Sequence, residues 1–251
     1  MSTHTLKSEI HDTHFELTLN RPEKRNALDA PLMIELTETL LDFGQKVKGQ
    51  KYLILKGEGS VFCSGADLNW MRSMADFSFE ENTEDSEKLF NLFFALYSFP
   101  LPVICLVQGA AFGGAIGLLA ASDFVFIEQN TKLCFSEVKL GLSPAVISTF
   151  VINRTAHPKS RSLMLSGQVF DETTAIEVGL AQGLMNEKDN LIESLEASGQ
   201  EALIETKALL RNQAVVNPRD FKNFTIETIS KLRLTDEAQS RMQAFLEKKS
   251  K

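Results

Sequence analysis

The sequence contains one uncharged segment long enough to cross a membrane, Phe99 to Ser122, and this segment constrains the fold more than any other feature. Two prolines, Pro100 and Pro102, and four glycines make it a poor membrane helix. Val103 to Val107 has the continuous apolar character of a buried parallel strand, and Ala115 to Ala121 that of a small-residue helix packed inside a protein. We therefore predict a globular protein that buries this segment and has no membrane partner.

Apolar patterns before this segment alternate between strands and helices. Alternating apolar residues at Phe15 to Leu19 and the run Tyr52 to Leu55 predict strands. Helical spacing predicts one helix from Pro31 to Gly44 and a second, amphipathic one from Glu87 to Tyr97. Alternation of this kind is typical of an α/β core.

The pattern changes in the second half of the chain. Short strands are predicted near Phe124 to Glu128 and Lys132 to Phe135, and helices follow them. From about Leu191 onward only helical signals occur. We therefore predict two regions, a core over residues 1–190 and a helical region over residues 191–251 that docks on the core or on a neighbouring subunit.

Composition excludes several classes of function. The net charge of −7 argues against a nucleic-acid partner, because phosphate binding normally needs a basic patch or stripe. Cys63, Cys105 and Cys134 have no metal-binding spacing, and the four histidines belong to no ligand motif, so we expect neither a metal nor disulfides. The N-terminal residues lack a signal-peptide pattern, which favours a cytoplasmic location.

Two glycine-containing segments each follow an apolar strand and open a predicted helix: Phe62 to Leu68 and Gly109 to Gly117. Free backbone amides at a helix start bind anionic oxygen. Neither segment contains a dinucleotide or P-loop pattern, and no elbow motif makes Ser64 a nucleophile. From these residues alone, each segment is either a closely packed turn or an anion-binding site.

Four strings in register resemble the enoyl-CoA hydratase/isomerase (crotonase) superfamily: Leu19 to Leu28, Ser64 to Leu68, Gly109 to Asp123, and Ser136 to Leu142. The resemblance covers about residues 6–190 and is weaker in the helical tail. It implies an α/β fold with a β-β-α spiral core and a C-terminal helical region. It also implies a homo-oligomer, either a trimer or a dimer of trimers.

The resemblance further implies a substrate and its binding residues. The substrate would be an acyl-CoA thioester, and no separate cofactor is expected because coenzyme A is part of the substrate. The amides of Ala66 and Gly114 would form an oxyanion hole for the thioester oxygen. Residues implied in binding CoA or substrate are Lys24, Arg25, Ala27, Ser64, Asp67, Leu68, Gly113 and Gly117. Lys24 and Arg25 would meet the phosphates, although the same two residues also suit a solvated basic turn.

The catalytic positions depart from the usual hydratase pattern. Hydratases of the superfamily carry two glutamates, and the matching positions here are Gly117 and Glu137. Glu137 follows the buried-looking run Leu133 to Phe135, and a desolvated carboxylate with a raised pKa is a useful base near neutral pH. The alternative role for Glu137 is a structural ion pair.

The strings Gly109 to Gly117 and Ser136 to Ser148 look most similar to the branch of methylglutaconyl-CoA and isohexenylglutaconyl-CoA hydratases. The leading hypothesis is therefore a hydratase (lyase) that adds or removes water at a 2-enoyl-CoA, with 3-methylglutaconyl-CoA of leucine degradation as the predicted substrate. A Δ3,Δ2-enoyl-CoA isomerase is the alternative, since many isomerases of the superfamily keep only the later glutamate. A non-catalytic acyl-CoA-binding subunit is a third hypothesis.

Overall fold

The computed structural model describes residues 5–155, 157–212, 219 and 222–248. Its main sheet has six strands in the order β1-β2-β3-β4-β6-β8, and a second sheet pairs β5 with β7. All pairings are parallel except that of β1 with β2. The strands are β1 Leu6–Ile10, β2 His14–Leu19, β3 Tyr52–Gly57, β4 Val103–Val107, β5 Ala110–Phe112, β6 Phe124–Ile127, β7 Lys132–Cys134 and β8 Gly183–Leu184.

Helices follow or cover these strands along the whole described chain. They are α1 Ala30–Gln45, α2 Leu68–Ser73, α3 Phe79–Ser98, α4 Gly114–Ala121, α5 Ala145–Thr155, α6 Pro158–Ser166, α7 Glu172–Glu177, α8 Lys188–Ala197, α9 Gln200–Asn212, α10 Lys222–Arg233 and α11 Asp236–Lys248. This mixed α/β architecture confirms the predicted fold class.

A strand of the main sheet, a strand of the small sheet and a helix recur as a β-β-α unit. β4, β5 and α4 form one unit, and β6, β7 and α5 form another. In each unit the first strand belongs to the main sheet and the second strand belongs to the small sheet. The second strands of the two units, β5 and β7, pair with each other. The start of α4 is thereby placed directly after β5, where the second predicted glycine segment lies.

Capping residues fix the N-terminal ends of α1 and α3. Asp29 accepts a hydrogen bond from the Leu32 amide at 3.0 Å, and Pro31 lies in the first turn of α1. α3 begins at Phe79, earlier than the predicted start at Glu87, because Ser78 and Glu81 form a reciprocal capping box. The longer α3 brings additional side chains of its first turns towards α2 and α10.

The C-terminal helices dock on the core of the same chain. On one face of the sheet, Leu195 of α8 packs in a cluster with Tyr52, Ile54 and Ile104. α10 packs on α3 and α5, and α11 packs on α2. α8 spans Lys188–Ala197, so the region boundary predicted at residue 190 falls inside a helix.

No helix among the described residues is long and apolar enough to cross a membrane. Val103 to Val107 and Ala115 to Ala121 are instead a buried strand and a buried helix, as predicted. Within the same described ranges, no group of three histidine, cysteine or acidic side chains is placed to hold a metal ion. Cys63, Cys105 and Cys134 are buried and free.

Candidate active site

A cleft of about 1150 Å³ opens between the N-terminal loops, α2, α4 and the C-terminal helices. It brings together all but one of the residues predicted for the site. Those that line it are Lys24, Arg25, Ala27, Ser64, Ala66, Asp67, Leu68, Gly113, Gly114 and Glu137. The exception is Gly117, which is buried behind the wall of the cleft.

Ala66 lies on a segment that is held on both sides by backbone hydrogen bonds. Leu28 donates to the Gly65 carbonyl at 2.7 Å, and the Asp67 amide donates to the Leu28 carbonyl at 2.8 Å. The amide of Ala66 between them donates to no acceptor in the described part of the chain. This amide therefore remains available to a ligand in the cleft.

Gly114 presents a second free amide at the first residue of α4. The first amides of a helix lack an intrahelical acceptor, and the described residues supply none for Gly114. Gly113 before it has a φ of 52° and donates to the Cys134 carbonyl at 2.9 Å. This left-handed conformation favours glycine and turns the chain into the helix.

The two segments that carry the free amides are in direct contact. Phe112 donates to the Cys63 carbonyl at 3.3 Å, and a Cβ atom on Gly65 would lie only 2.7 Å from the Phe112 carbonyl oxygen. A side chain at residue 65 would therefore push the segments apart. Free amides on two contacting segments, one of them at a helix start, can stabilise a developing negative charge on oxygen.

The carboxyl group of Glu137 lies next to the start of α4. Its Oε1 is 3.4 Å from the position that a Cβ on Gly113 would take, and its Oε2 is buried without a hydrogen-bond partner among the described residues. Burial raises the pKa of Glu137 to about 7. Such a carboxyl group can both accept and donate a proton near neutral pH.

Ser136 is a site residue that sequence reasoning missed. Its Oγ lies 3.2 Å from the same Cβ position on Gly113, so the hydroxyl and the Glu137 carboxyl flank one point. The hydroxyl lines the cleft and forms no hydrogen bond within the described chain. Ser136 directly precedes Glu137 in one of the four segments that resemble the superfamily, and this position could have indicated it from the sequence.

Gly117 packs against apolar side chains. A Cβ atom there would lie 2.7 Å from Cγ2 of Ile147 and 2.7 Å from Cε1 of Phe93. The acidic residues that line the cleft, among those described, are Glu23, Asp67 and Glu137. Glu23 is exposed, and Asp67 is paired with Arg21 and Lys24. Glu137 is the half-buried acidic residue of this set whose carboxyl has an enclosed oxygen without a partner among the described residues, so it is available for proton transfer.

Asp67 organises the rim of the cleft. It caps α2 by accepting from the Asn69 amide at 2.9 Å, and it pairs with Arg21 at 3.1 Å and Lys24 at 3.5 Å. Burial alone would raise the pKa of Asp67, but these amide hydrogen bonds and nearby cations together lower it. Asp67 is therefore an ionised structural anchor.

Arg21 and Asn26 are buried residues that hold the same rim of the cleft in place. Arg21 is buried, donates to the Ala27 carbonyl at 2.7 Å and pairs with Asp29 at 2.8 Å. Asn26 is fully buried with a φ of 52°, and its side chain bonds backbone groups of Arg21, Glu58 and Val61. The loop so held leaves Lys24 and Arg25 exposed at the rim.

Comparison with known proteins gives a consistent result. The family model described as enoyl-CoA hydratase/isomerase matches residues 9–251. A structure of a candidate enoyl-CoA hydratase/isomerase (crotonase) from Legionella pneumophila is 37% identical, with a TM-score of 0.77, covering 97% of this chain and 96% of that one. An enoyl-CoA hydratase structure from Shewanella pealeana is 33% identical, with a TM-score of 0.80, covering 98% and 95%.

A relative of similar length is a candidate enoyl-CoA hydratase of Thermus thermophilus, which is 28% identical over 92% of this chain and 93% of its own. The β-β-α units and the structural matches define a protein of the crotonase fold. The chain belongs to the enoyl-CoA hydratase/isomerase family.

Proposed function

We propose that this protein is an enoyl-CoA hydratase that uses Glu137 as its single acid and base. The observation that carries the proposal is the Glu137 carboxyl, whose Oε2 is buried without a partner among the described residues and whose pKa is raised to about 7. It lies beside two free amides, those of Ala66 and Gly114, which act as the oxyanion hole. The substrate is 3-methylglutaconyl-CoA, formed during leucine degradation.

The reaction proceeds by addition of water across the double bond. The two amides stabilise negative charge on the thioester oxygen, a contribution of about 10²–10³ in rate for each such donor. Glu137 accepts a proton from water as the water oxygen bonds to C3, and the electron pair of the double bond moves to form the enolate. The protonated Glu137 then donates that proton to C2, which restores the thioester carbonyl and the ionised carboxylate.

We propose that two groups position the attacking water in place of a second glutamate. Ser136 offers an unengaged hydroxyl beside Glu137, so a water molecule can be held between the hydroxyl and the carboxylate. The distal carboxylate of 3-methylglutaconyl-CoA lies near C3 and also positions the water. A simple enoyl chain such as crotonyl-CoA lacks that carboxylate and is a poor substrate.

The CoA moiety binds along the rim that Asp67 organises. Lys24 and Arg25 are exposed there and meet the phosphates, while Ala27 and Leu68 contact the adenine and pantetheine, largely through backbone groups. The firm anchoring of this loop by Arg21 supports the proposal, because a preorganised loop loses less entropy on binding.

We also propose that the protein is a cytoplasmic homo-oligomer, a trimer or a dimer of trimers. Leu165 at the end of α6 is 79% exposed, and Val169 shortly after the helix is 55% exposed. Exposed apolar side chains near a cleft are suited to a subunit interface. Val169 also lines the cleft, so a neighbouring subunit there would help close it.

A second candidate is Δ3,Δ2-enoyl-CoA isomerisation, which the apolar wall at Gly117 favours. Phe93 and Ile147 occupy the position where a second carboxylate would lie, and an isomerase needs only one proton carrier. Glu137 would then remove a proton from C2 and return it at C4, or the reverse. A non-catalytic acyl-CoA-binding subunit would have no use for a buried carboxyl group of raised pKa.

Turnover in oxygen-18 water distinguishes the two reactions. The hydratase places the label at C3 of 3-methylglutaconyl-CoA, and Glu137→Gln lowers the rate by about 10²-fold or more, as for loss of a general base. The isomerase converts 3-enoyl-CoA to 2-enoyl-CoA without label. Brisk 3-enoyl conversion with no label in any product would refute hydration and establish the second candidate.

A further inference from the structure

Arg233 is a buried cation that the proposed chemistry does not use. It ends α10, is 5% exposed and lines the cleft. Its Nη1 donates to Asp85 at 3.0 Å and to Ser86 at 3.3 Å, and Trp70 donates to the other oxygen of Asp85 at 3.0 Å. The Nε of Arg233 is buried and has no hydrogen-bond partner within the described ranges.

An unused donor on a buried guanidinium is an unusual feature. Burial lowers the pKa of Arg233, and Asp85 only counteracts this effect. The charge of Asp85 is itself shared between Arg233 and the indole of Trp70. A guanidinium presents five donors in a planar fork, so one carboxylate at Nη1 leaves the Nε side free for a second.

The position of this pair relative to the thioester site follows from α3. Leu89 of α3 has its Cδ1 3.9 Å from the position that a Cβ on Gly114 would take. Asp85 lies four residues earlier, which is about one helical turn or 6 Å along the axis. The Arg233–Asp85 pair is therefore displaced by about one turn of α3 from the helix start that carries the Gly114 amide, and a few methylene groups of an acyl chain cover one helical turn.

The lining around Arg233 supports an acyl-chain site. Trp70, Leu89, Ile229 and Met242 are apolar residues that line the same cleft. Trp70 shares the Asp85 carboxylate with Arg233, and Ile229 lies one turn before Arg233 in α10. The other basic residues that line the cleft in the described chain are exposed, namely Lys24, Arg25, Arg72, Lys139 and Lys248. A carboxylate on the acyl chain would therefore meet Arg233 at the end of an apolar passage.

We propose that Arg233 is a specificity-determining residue that binds the distal carboxylate of a dicarboxylic acyl-CoA thioester. The inference rests on the proposed acyl-CoA chemistry of the same cleft and explains how the site selects a carboxylated acyl group over a neutral one. The free Nε donates to one oxygen of the substrate carboxylate, while Nη1 remains on Asp85.

Calorimetry with two saturated thioesters tests this role apart from catalysis. Glutaryl-CoA and valeryl-CoA have acyl chains of equal carbon number, but only glutaryl-CoA carries a distal carboxylate. Neither has the double bond needed for turnover, so binding is measured alone. We expect wild type to bind glutaryl-CoA roughly 10- to 100-fold more tightly, as for a hydrogen bond to a charged group.

The variant Arg233→Met should reduce this preference to near unity, whereas Lys231→Met, which changes an exposed residue of the same helix, should retain it. A purely structural role would weaken both thioesters equally and leave the ratio unchanged. Equal affinity in wild type would overturn the proposal even if Arg233→Met fails to fold. If the preference is present but neither 3-methylglutaconyl-CoA nor a 3-enoyl-CoA is converted, the proposed function fails and the carboxylate site stands.

Discussion

The ring of Phe93 fills the space beside Gly117: its Cε1 lies 2.7 Å from the position that a Cβ on Gly117 would occupy. Phe93 is itself fully buried against Phe150. The position that matches the first glutamate of two-glutamate hydratases is thus closed by core packing, and Glu137 is the carboxyl group that we propose for proton transfer.

Gly117→Ala should lower the free energy of unfolding by about 1–3 kcal/mol, because the added methyl overpacks a buried site. Gly114→Ala is the matched control in the same helix, since its Cβ would meet no atom nearer than 3.5 Å. The control should stay within about 1 kcal/mol of wild type. Urea unfolding of the three proteins measures the difference, and equal stability of the two variants would contradict the packing at Gly117.

Gly114→Val should abolish most activity while the circular dichroism spectrum stays close to that of wild type. A single Cβ fits beside Leu28 and Leu89. The two further methyl groups of valine need additional room next to the amide at which we propose that the thioester oxygen binds. Loss of one oxyanion donor costs about 10²–10³ in rate. A kcat/KM within a few-fold of wild type would mean that the oxyanion hole lies elsewhere.

The value of kcat/KM should fall as pH decreases through about 7, the pKa of Glu137 in the folded protein. The base must be ionised to accept a proton from water, so activity is present above this pH and falls about tenfold per unit below it. A carboxyl group with the ordinary value of 4.5 would keep full activity well below neutrality. A profile flat down to pH 5 would therefore exclude Glu137 as the base.

The substitution Glu137→Gln should inactivate the protein but raise its free energy of unfolding at pH 8. The folded pKa of Glu137 is raised from 4.5 to about 7, so the folded state binds more protons than the unfolded state between these values. Stability contributed by the protonated carboxyl is present below pH 4.5 and is lost as pH rises through 7. At about 1.4 kcal/mol per unit, the variant should gain about 3 kcal/mol at pH 8 and nothing at pH 4. Thermal unfolding of wild type and variant at the two pH values measures this gain in stability. A gain of equal size at both pH values would indicate another cause.

Acetoacetyl-CoA should bind and free acetoacetate should not, because recognition depends on the CoA moiety and on the polarised thioester. Calorimetry with both compounds provides the measurement. Equal affinity for the two, or binding of neither, would count against an acyl-CoA site in this cleft.

Several structural features could be predicted from local sequence because local interactions produce them. The strand at Val103 to Val107 and the helix at Ala115 to Ala121 follow from composition and spacing, and the structure contains both. The capping pattern Ser78-x-x-Glu81 was also readable, and it places the start of α3 at Phe79 rather than Glu87. β5, with the sequence Ala-Ala-Phe, carries no strand pattern of its own and forms because β7 pairs with it.

By itself, the sequence determined the α/β class, the two glycine segments and the presence of one glutamate where two are usual. Tertiary structure alone decided that Phe93 closes the space at Gly117 and that Arg233, paired with Asp85, lies at the cleft. Phe93 and Asp85 lie far along the chain from their partners. Such contacts depend on how α3 packs against α4 and α10, and no local pattern of side chains specifies that packing.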